Sequence, residues 1–264
     1  MMENASQPPL IELRGISKYF GPVRALENVN LVVNRRQVVG LVGDNGAGKS
    51  TLMKILTGAY QPTFGEILLE GRPVHFASPH ESRLAGIEMV YQDLALAGNL
   101  SIAANIYLGR EPIKRQWGLF RFMDEKRIEN GSRELLERLK INIPNVKARV
   151  ENLSGGQRQS VAIARATAFN AKLVIMDEPT AALAVKEVAK VLETVLNLRA
   201  HGVAVILISH RMQDVMSVAD RIIVLYEGAK VADLERSKTN LDEIVAYIVG
   251  SKGSAAQARA VAEG

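Results

Sequence analysis

Gly43-Asp44-Asn45-Gly46-Ala47-Gly48-Lys49-Ser50 decides the reading of this chain. It follows the apolar run Val38-Val39-Gly40-Leu41-Val42 and precedes the helix-like run Thr51-Leu52-Met53-Lys54-Ile55-Leu56-Thr57. Strand, glycine-rich loop and helix is the context in which Gly, four residues, Gly, Lys, Ser forms a phosphate cradle. The glycines let the backbone approach an anion without Cβ clashes. The loop N–H groups and the helix N-terminus then point at the phosphates. Lys49 reaches the β- and γ-phosphates, and the Ser50 hydroxyl holds Mg²⁺. Thr51 joins the loop residues as a nucleotide contact.

The chain has 264 residues, 47% of them hydrophobic and 23% charged, the balance of a globular protein. Its net charge of +5 is spread without a basic block, which favours a solvated mixed surface over a nucleic-acid stripe. There is no cysteine, so no disulfide forms, and this fits a reducing compartment. Met1 to Pro9 lacks a signal pattern and reads as loose. The longest apolar runs fall far short of the ~20 residues of a membrane helix. The expectation is a cytoplasmic protein whose membrane role, if any, comes through a partner.

Leu10–Leu13 and Leu26–Val33 read as strands placed before the central strand Val38–Val42, which suggests an added antiparallel sheet. Glu66–Leu69 and Arg72–Phe76 read as a hairpin about Glu70-Gly71. Ser78-Pro79-His80-Glu81 carries the signals of a helix start. Ile87–Tyr91 is a strand with Gln92 at its end. From residue 93 to 153 the spacing turns helical, with Ile128, Leu135, Leu136 and Leu139 on one face, and no strand is expected there. Strands at Leu173–Met176 and Val203–Ser209 then alternate with helices, and Arg221–Tyr226 and Lys230–Leu234 form a last hairpin. Residues 251–264 are Ala-rich and read as a disordered tail.

Two further stretches carry chemistry. Leu173-Val174-Ile175-Met176-Asp177-Glu178 is an apolar strand ending in two carboxylates, and open parallel sheets bind ligands at that edge. Asp177 is placed to hold Mg²⁺ and Glu178 to polarise an attacking water. Leu153-Ser154-Gly155-Gly156-Gln157 opens a helix, with Ser154 as its cap and two glycines leaving the first N–H groups open. Two anion loops about a hundred residues apart exceed what one nucleotide needs inside one subunit, so the second loop covers a nucleotide bound to another copy.

At this point the chain resembles the nucleotide-binding subunit of an ATP-binding cassette (ABC) transporter over roughly Leu10 to Gly250. The motifs stand in the family's order: Gly43 to Ser50 as Walker A, Gln92 as the Q-loop, Leu153 to Gln157 as the signature, Leu173 to Asp177 as Walker B, Glu178 as catalytic base and His210 as the switch histidine. The resemblance implies a head-to-tail dimer, here a homodimer, with ATP between Walker A of one copy and Ser154, Gly155, Gly156 and Gln157 of the other. It makes Phe20 the aromatic that stacks on adenine, with Tyr19 as fallback. Gln92 would see Mg²⁺ and the attacking water, and His210 the γ-phosphate. The implied fold is α/β: a P-loop NTPase core with a mostly parallel sheet, a small antiparallel β subdomain and an α-helical subdomain inserted at 93–153, within one nucleotide-binding domain spanning 1–250.

One position departs from the pattern. Where the family reads Ser-Ala-Leu-Asp after Glu178-Pro179-Thr180, this chain reads Ala181-Ala182-Leu183-Ala184, so the Asp that links the two sites is absent. The stretches Gly71-Arg72-Pro73-Val74-His75-Phe76 and Asn99 to Glu111 are similar to monosaccharide importers of the ribose, xylose and fructose type. That resemblance implies an ATPase peripheral to the cytoplasmic membrane face, working with an integral permease and, indirectly, a periplasmic sugar-binding protein, without nucleic acid. The alternative is a soluble cassette ATPase acting on nucleic acid or ribosomes; such proteins carry long coiled coils or fused cassettes with a basic linker, and neither is present. A cassette that binds ATP with little turnover has only Ala184 in its favour.

Overall fold

A computed structural model describes residues 8–116 and 120–251. The expectations for the loose N-terminus up to residue 7, for Trp117 and for the tail beyond residue 251 lie outside the described residues. In chain order, β1 (Ile11–Phe20) and β2 (Val23–Val33) precede β3 (Val38–Val42) and α1 (Lys49–Leu56). Then come β4 (Phe64–Leu69), β5 (Arg72–Val74), α2 (Pro79–Leu84), β6 (Ile87–Val90), α3 (Ile102–Tyr107), β7 (Ile113–Gln116), β8 (Phe120–Met123) and α4 (Glu125–Arg138). The rest is α5 (Gly155–Thr167), β9 (Leu173–Asp177), α6 (Val185–Ala200), β10 (Ala204–Ile208), α7 (Met212–Val218), β11 (Arg221–Tyr226), β12 (Ala229–Glu235) and α8 (Leu241–Ile248).

The central sheet has the order β12-β11-β3-β10-β9-β6. From β11 to β6 all its neighbours are parallel, and β12 turns back antiparallel on the edge. Every residue of β3 and β10 is buried, as continuous apolar runs require when both faces are covered. Successive side chains go to opposite faces. Val38, Val42, Val174, Met176, Val205 and Leu207 join a core under α3 to α8. Val39, Leu41, Leu173, Ile175, Ile206 and Ile208 join a second core under α1 and the antiparallel sheet. That sheet, β2-β1-β4-β5, is the one suggested by two strands ahead of the glycine loop.

Helix signals in the sequence act as written. The Ser78 side chain accepts from the Glu81 N–H with Pro79 at the first position, and Gly86 takes a left-handed φ of 93° after α2. On α4, Ile128, Leu135 and Leu136 are buried, and Leu139 just beyond it is buried as well. One expectation fails: the stretch between β6 and α5 does contain strands, the β7–β8 hairpin. Each strand has only four residues and β7 holds one apolar residue, Ile113, so the pattern is too short to mark the hairpin. β1 also runs through Ser17 to Phe20, past where the sequence suggested an end, and pairs up to a two-residue turn, Gly21-Pro22, with Gly21 at φ 57°.

Candidate nucleotide site

Because β3, β10, β9 and β6 are parallel neighbours, their C-terminal ends meet at one edge. Val42 hands over to Gly43, Ile208 to Ser209 and His210, Asp177 to Glu178, and Val90 to Tyr91 and Gln92. One cavity of about 670 Å³ at this edge is lined by Gly43, Asp44, Asn45, Gly46, Ala47, Gly48, Lys49, Ser50 and Thr51, and by Gln92, Asp177, Glu178 and His210. Ala25 and Ile208 complete the lining. Ala25 bears no chemistry that a sequence reading would single out; it enters through β2, which passes under the loop.

The loop is held open by backbone geometry. Gly48 has φ 98°, and a Cβ there would lie 2.6 Å from Leu26 Cδ2 and 2.8 Å from the Ala25 carbonyl. Only glycine lets the loop rest on β2 and start α1 at Lys49. Lys49 Nζ donates to the Gly43 carbonyl at 2.7 Å and to the Asp44 carbonyl at 2.9 Å, which holds the ammonium over the loop. Burial lowers its pKa, while Glu178, Asp44 and Asp177 act in the opposite sense. The carboxyl of Asp177 is pushed up, first by burial and then by Glu178, with Lys49 and Lys54 partly opposing.

Glu178 has a left-handed backbone, φ 50°, rare for a residue with a side chain. Its N–H donates to the Ile208 carbonyl at 2.9 Å, and its Oε1 accepts the His210 N–H at 2.9 Å. The His210 ring Nδ1 lies 2.8 Å from Glu178 Oε2, an ion-pair separation outside hydrogen-bond alignment. Beyond Gln92, the carbonyls of Leu94 and Ala95 accept from the guanidinium of Arg165 on α5 at 2.8 and 2.7 Å. The sequence reading did not single out Arg165; its place in a helical run gives no sign of this clamp.

Phe20 is not among the cavity's lining residues. It stands exposed at the end of β1, edge-on to Tyr60 at 5.4 Å between ring centroids, with the Lys18 ammonium 5.1 Å from its ring. The Tyr19 hydroxyl is engaged by the Glu27 carboxylate at 3.0 Å.

Ser154, Gly156 and Gln157 border a separate cavity of about 420 Å³, and Gly155 opens α5 beside them. Ser154 and Gln157 form a reciprocal cap: the Gln157 N–H donates to Ser154 Oγ at 3.3 Å, and the Ser154 N–H to Gln157 Oε1 at 3.0 Å. The N–H of Gly156, open in the sequence reading, donates to Glu187 Oε1 at 3.1 Å. A Cβ on Gly156 would lie 2.7 Å from the Glu187 Cβ, so close packing of α6 on α5 demands this glycine. Ala184 offers α6 no side-chain cap, and Glu187 Oε2 accepts the Ala184 N–H at 3.4 Å instead.

A family model described as "ABC transporter" matches residues 26–181. The xylose/arabinose import ATP-binding protein XylG of Sulfolobus acidocaldarius is 47% identical over 235 residues, 89% of this chain and 92% of that protein. The fructose import ATP-binding protein FrcA of Rhizobium meliloti is 46% identical over 252 residues, 94% of this chain and 96% of that protein. The ribose import ATP-binding protein RbsA 2 of Burkholderia pseudomallei is 45% identical across 94% of this chain, which spans 48% of that longer protein. Among solved structures, the ADP conformation of the ATP-binding cassette MJ1267 of an ABC transporter superposes with a TM-score of 0.76 at 26% identity, covering 93% of this chain and 97% of that one. The dimeric bacterial ABC transporter cassette MJ0796 superposes with a TM-score of 0.70 at 27% identity, covering 86% of this chain and 98% of that one.

Proposed function

The chain belongs to the ABC transporter family, and from that premise we propose that it is the ATP-hydrolysing subunit that energises import of a monosaccharide, of the ribose, xylose or fructose type, through a separate membrane permease. One observation carries this reading. The glycine loop, Lys49, Gln92, Asp177, Glu178 and His210 share one cavity, while the loop Ser154 to Gln157 borders another. A second copy, arranged head to tail, would supply that loop to the first copy's nucleotide. The dimeric cassette MJ0796 supports a two-copy arrangement.

The donor set suits a magnesium nucleotide. Among the described residues no group of three or more His, Asp or Glu gathers as a closed metal cage. Mg²⁺ instead takes one or two carboxylates together with waters and substrate phosphates. Asp177, whose half-buried carboxylate has its pKa pushed up, would gain from a cation; Ser50 and Gln92 would add oxygens. Such an ion would supply positive charge against the charge that develops on the phosphate during transfer. Lys49 and the loop amides bind and orient the phosphates, and the Ser154 hydroxyl of the other copy closes the site. Glu178 takes a proton from the attacking water, and His210 holds the carboxylate in place. Arg165 carries the position of the Gln92 segment to α5, the helix that begins with the signature loop.

Among the described residues no helix is long and apolar enough to cross a membrane, so the membrane step belongs to the permease. The subunit would sit peripherally on the cytoplasmic face and meet the periplasmic sugar-binding protein only through the permease. Affinity purification from detergent-solubilised membranes tests this. A polytopic membrane protein in stoichiometric amount, with ATPase activity raised by one sugar and its binding protein, is the expected result. Recovery with ribosomes or DNA instead overturns it.

A further inference from the structure

The carboxylate of Glu187 holds donors that belong to the signature loop. Its Oε1 accepts the Gly156 N–H at 3.1 Å, and the Ser154 hydroxyl lies beside the same carboxylate. Its Oε2 accepts the Ala184 N–H at 3.4 Å. The Ser154 hydroxyl beside it first, and then the Gly156 N–H, hold the Glu187 carboxyl below the usual carboxylate range. The Glu187 stem packs directly on Gly156, and the buried Val188 and Val191 anchor its helix, α6, so the carboxylate is held near the signature loop.

We propose that Glu187 sets the ATP dependence of dimer closure: in the separate chain its carboxylate occupies the Gly156 N–H of the signature loop, a donor that the partner copy's terminal phosphate takes in the closed dimer. This rests on the two-copy reading above. A single N–H serves one acceptor well, and a helix N-terminus attracts either anion. Carboxylate and phosphate carry like charge, so closure must displace Glu187 or bring two anions together. Until closure, the carboxylate satisfies backbone donors that would otherwise have no intrahelical partner. Glu187 is a positioning residue, acting on the site through Ser154 and Gly156.

The test uses the full chain with Glu178→Gln, so that bound ATP is not consumed. Dimer formation is followed by light scattering against MgATP concentration, with and without Glu187→Gln. The amide is isosteric and still accepts the Gly156 N–H, but without charge. A bond to a charged group exceeds a neutral one by about 1 kcal/mol, so the half-maximal ATP concentration should fall about fivefold. Glu187→Ala, the second variant, removes the acceptor altogether and should also lower the midpoint. An unchanged or higher midpoint in both variants overturns the proposal, since a merely supporting residue weakens closure when removed. If the Glu178→Gln chain forms no ATP-driven dimer with or without Glu187, the two-copy reading falls and this inference with it. A dimer whose midpoint fails to move down removes the role of Glu187 alone.

Discussion

Glu178 meets one residue, His210, at both carboxylate oxygens: Oε1 accepts the backbone N–H at 2.9 Å, and Oε2 faces ring Nδ1 at 2.8 Å without hydrogen-bond alignment. The pairing follows from two parallel neighbours, β9 and β10, ending side by side. Glu178 is little exposed, 16% of its side chain, while the His210 ring is 71% exposed. The carboxylate is thus the sheltered member and the ring the one that meets solvent.

Glu178→Gln should leave MgATP binding intact and lower kcat by about 10²- to 10⁴-fold, the range a positioned base contributes. His210→Ala keeps the backbone bond and loses only the ring, so its kcat should fall less. Steady-state ATPase rates of the permease complex, with nucleotide binding measured on the same variants, check both. Full turnover in Glu178→Gln would remove this residue from the base role.

Asp177→Asn separates stability from chemistry. The raised carboxyl pKa means that the folded chain holds this proton more tightly than the unfolded chain. The ionised carboxylate therefore costs stability. That cost is absent below the ordinary Asp range and complete once the pH has risen past the raised value. At neutral pH the nucleotide-free Asp177→Asn chain should melt at a higher temperature than the wild type, and the gap should narrow as the pH falls towards the acid range. Added Mg²⁺ with ATP should stabilise the wild type more than the variant. Thermal denaturation across pH, with and without MgATP, reads both effects.

Much of the site was legible in sequence because its residues follow strands. An apolar run that ends in Gly43, Gln92, Asp177 or His210 declares both the strand and the edge where its last side chain emerges. The antiparallel sheet and the helix caps at Ser78 and Ser154 were legible for a similar local reason: hydroxyl and glycine signals act within three or four residues. What stayed hidden depends on packing between segments far apart in the chain. Arg165 reaches the 94–95 carbonyls across the α5 face, and Glu187 reaches Gly156 between two helices. Neither distance leaves a mark on local spacing. The β7–β8 hairpin was missed because each of its strands has only four residues and β7 carries a single apolar one, Ile113.

Arg165 spans two carbonyls with two guanidinium nitrogens, a fork that the single ammonium of lysine cannot match. Arg165→Ala should lower unfolding free energy by about 1–3 kcal/mol, the range for losing hydrogen bonds from a charged group. Arg165→Lys keeps the charge and most of the stem. It should recover stability better than it recovers permease-stimulated ATPase, because the Gln92 segment is no longer fixed against α5. Denaturant melts of both variants, set beside stimulated and basal ATPase rates, distinguish coupling from stability. Equal loss of basal and stimulated rates in Arg165→Lys would count against coupling.

Ala184 occupies the cap position of α6 with extended backbone, φ −67° and ψ 153°, and its carbonyl already accepts from Glu187 and Val188. The backbone is set for a capping side chain that alanine lacks. Ala184→Ser should add about 1 kcal/mol of stability, the usual value of an N-cap acceptor. In a chain of this size that raises the melting temperature by about 2–4 °C. Ala184→Asp restores the residue that the family pattern carries here, and a carboxylate at a helix N-terminus is also favourable. Yet Glu187 Oε2 already stands 3.4 Å from the Ala184 N–H, so a second carboxylate meets like charge. Asp should therefore stabilise less than Ser in the Glu187 background, and the order should reverse when Glu187→Gln is added. Thermal denaturation of these nucleotide-free variants gives the answer directly. Asp outperforming Ser with Glu187 present would show that the two carboxylates do not feel each other, and would weaken the view of Glu187 as a fixed anion at the head of α5.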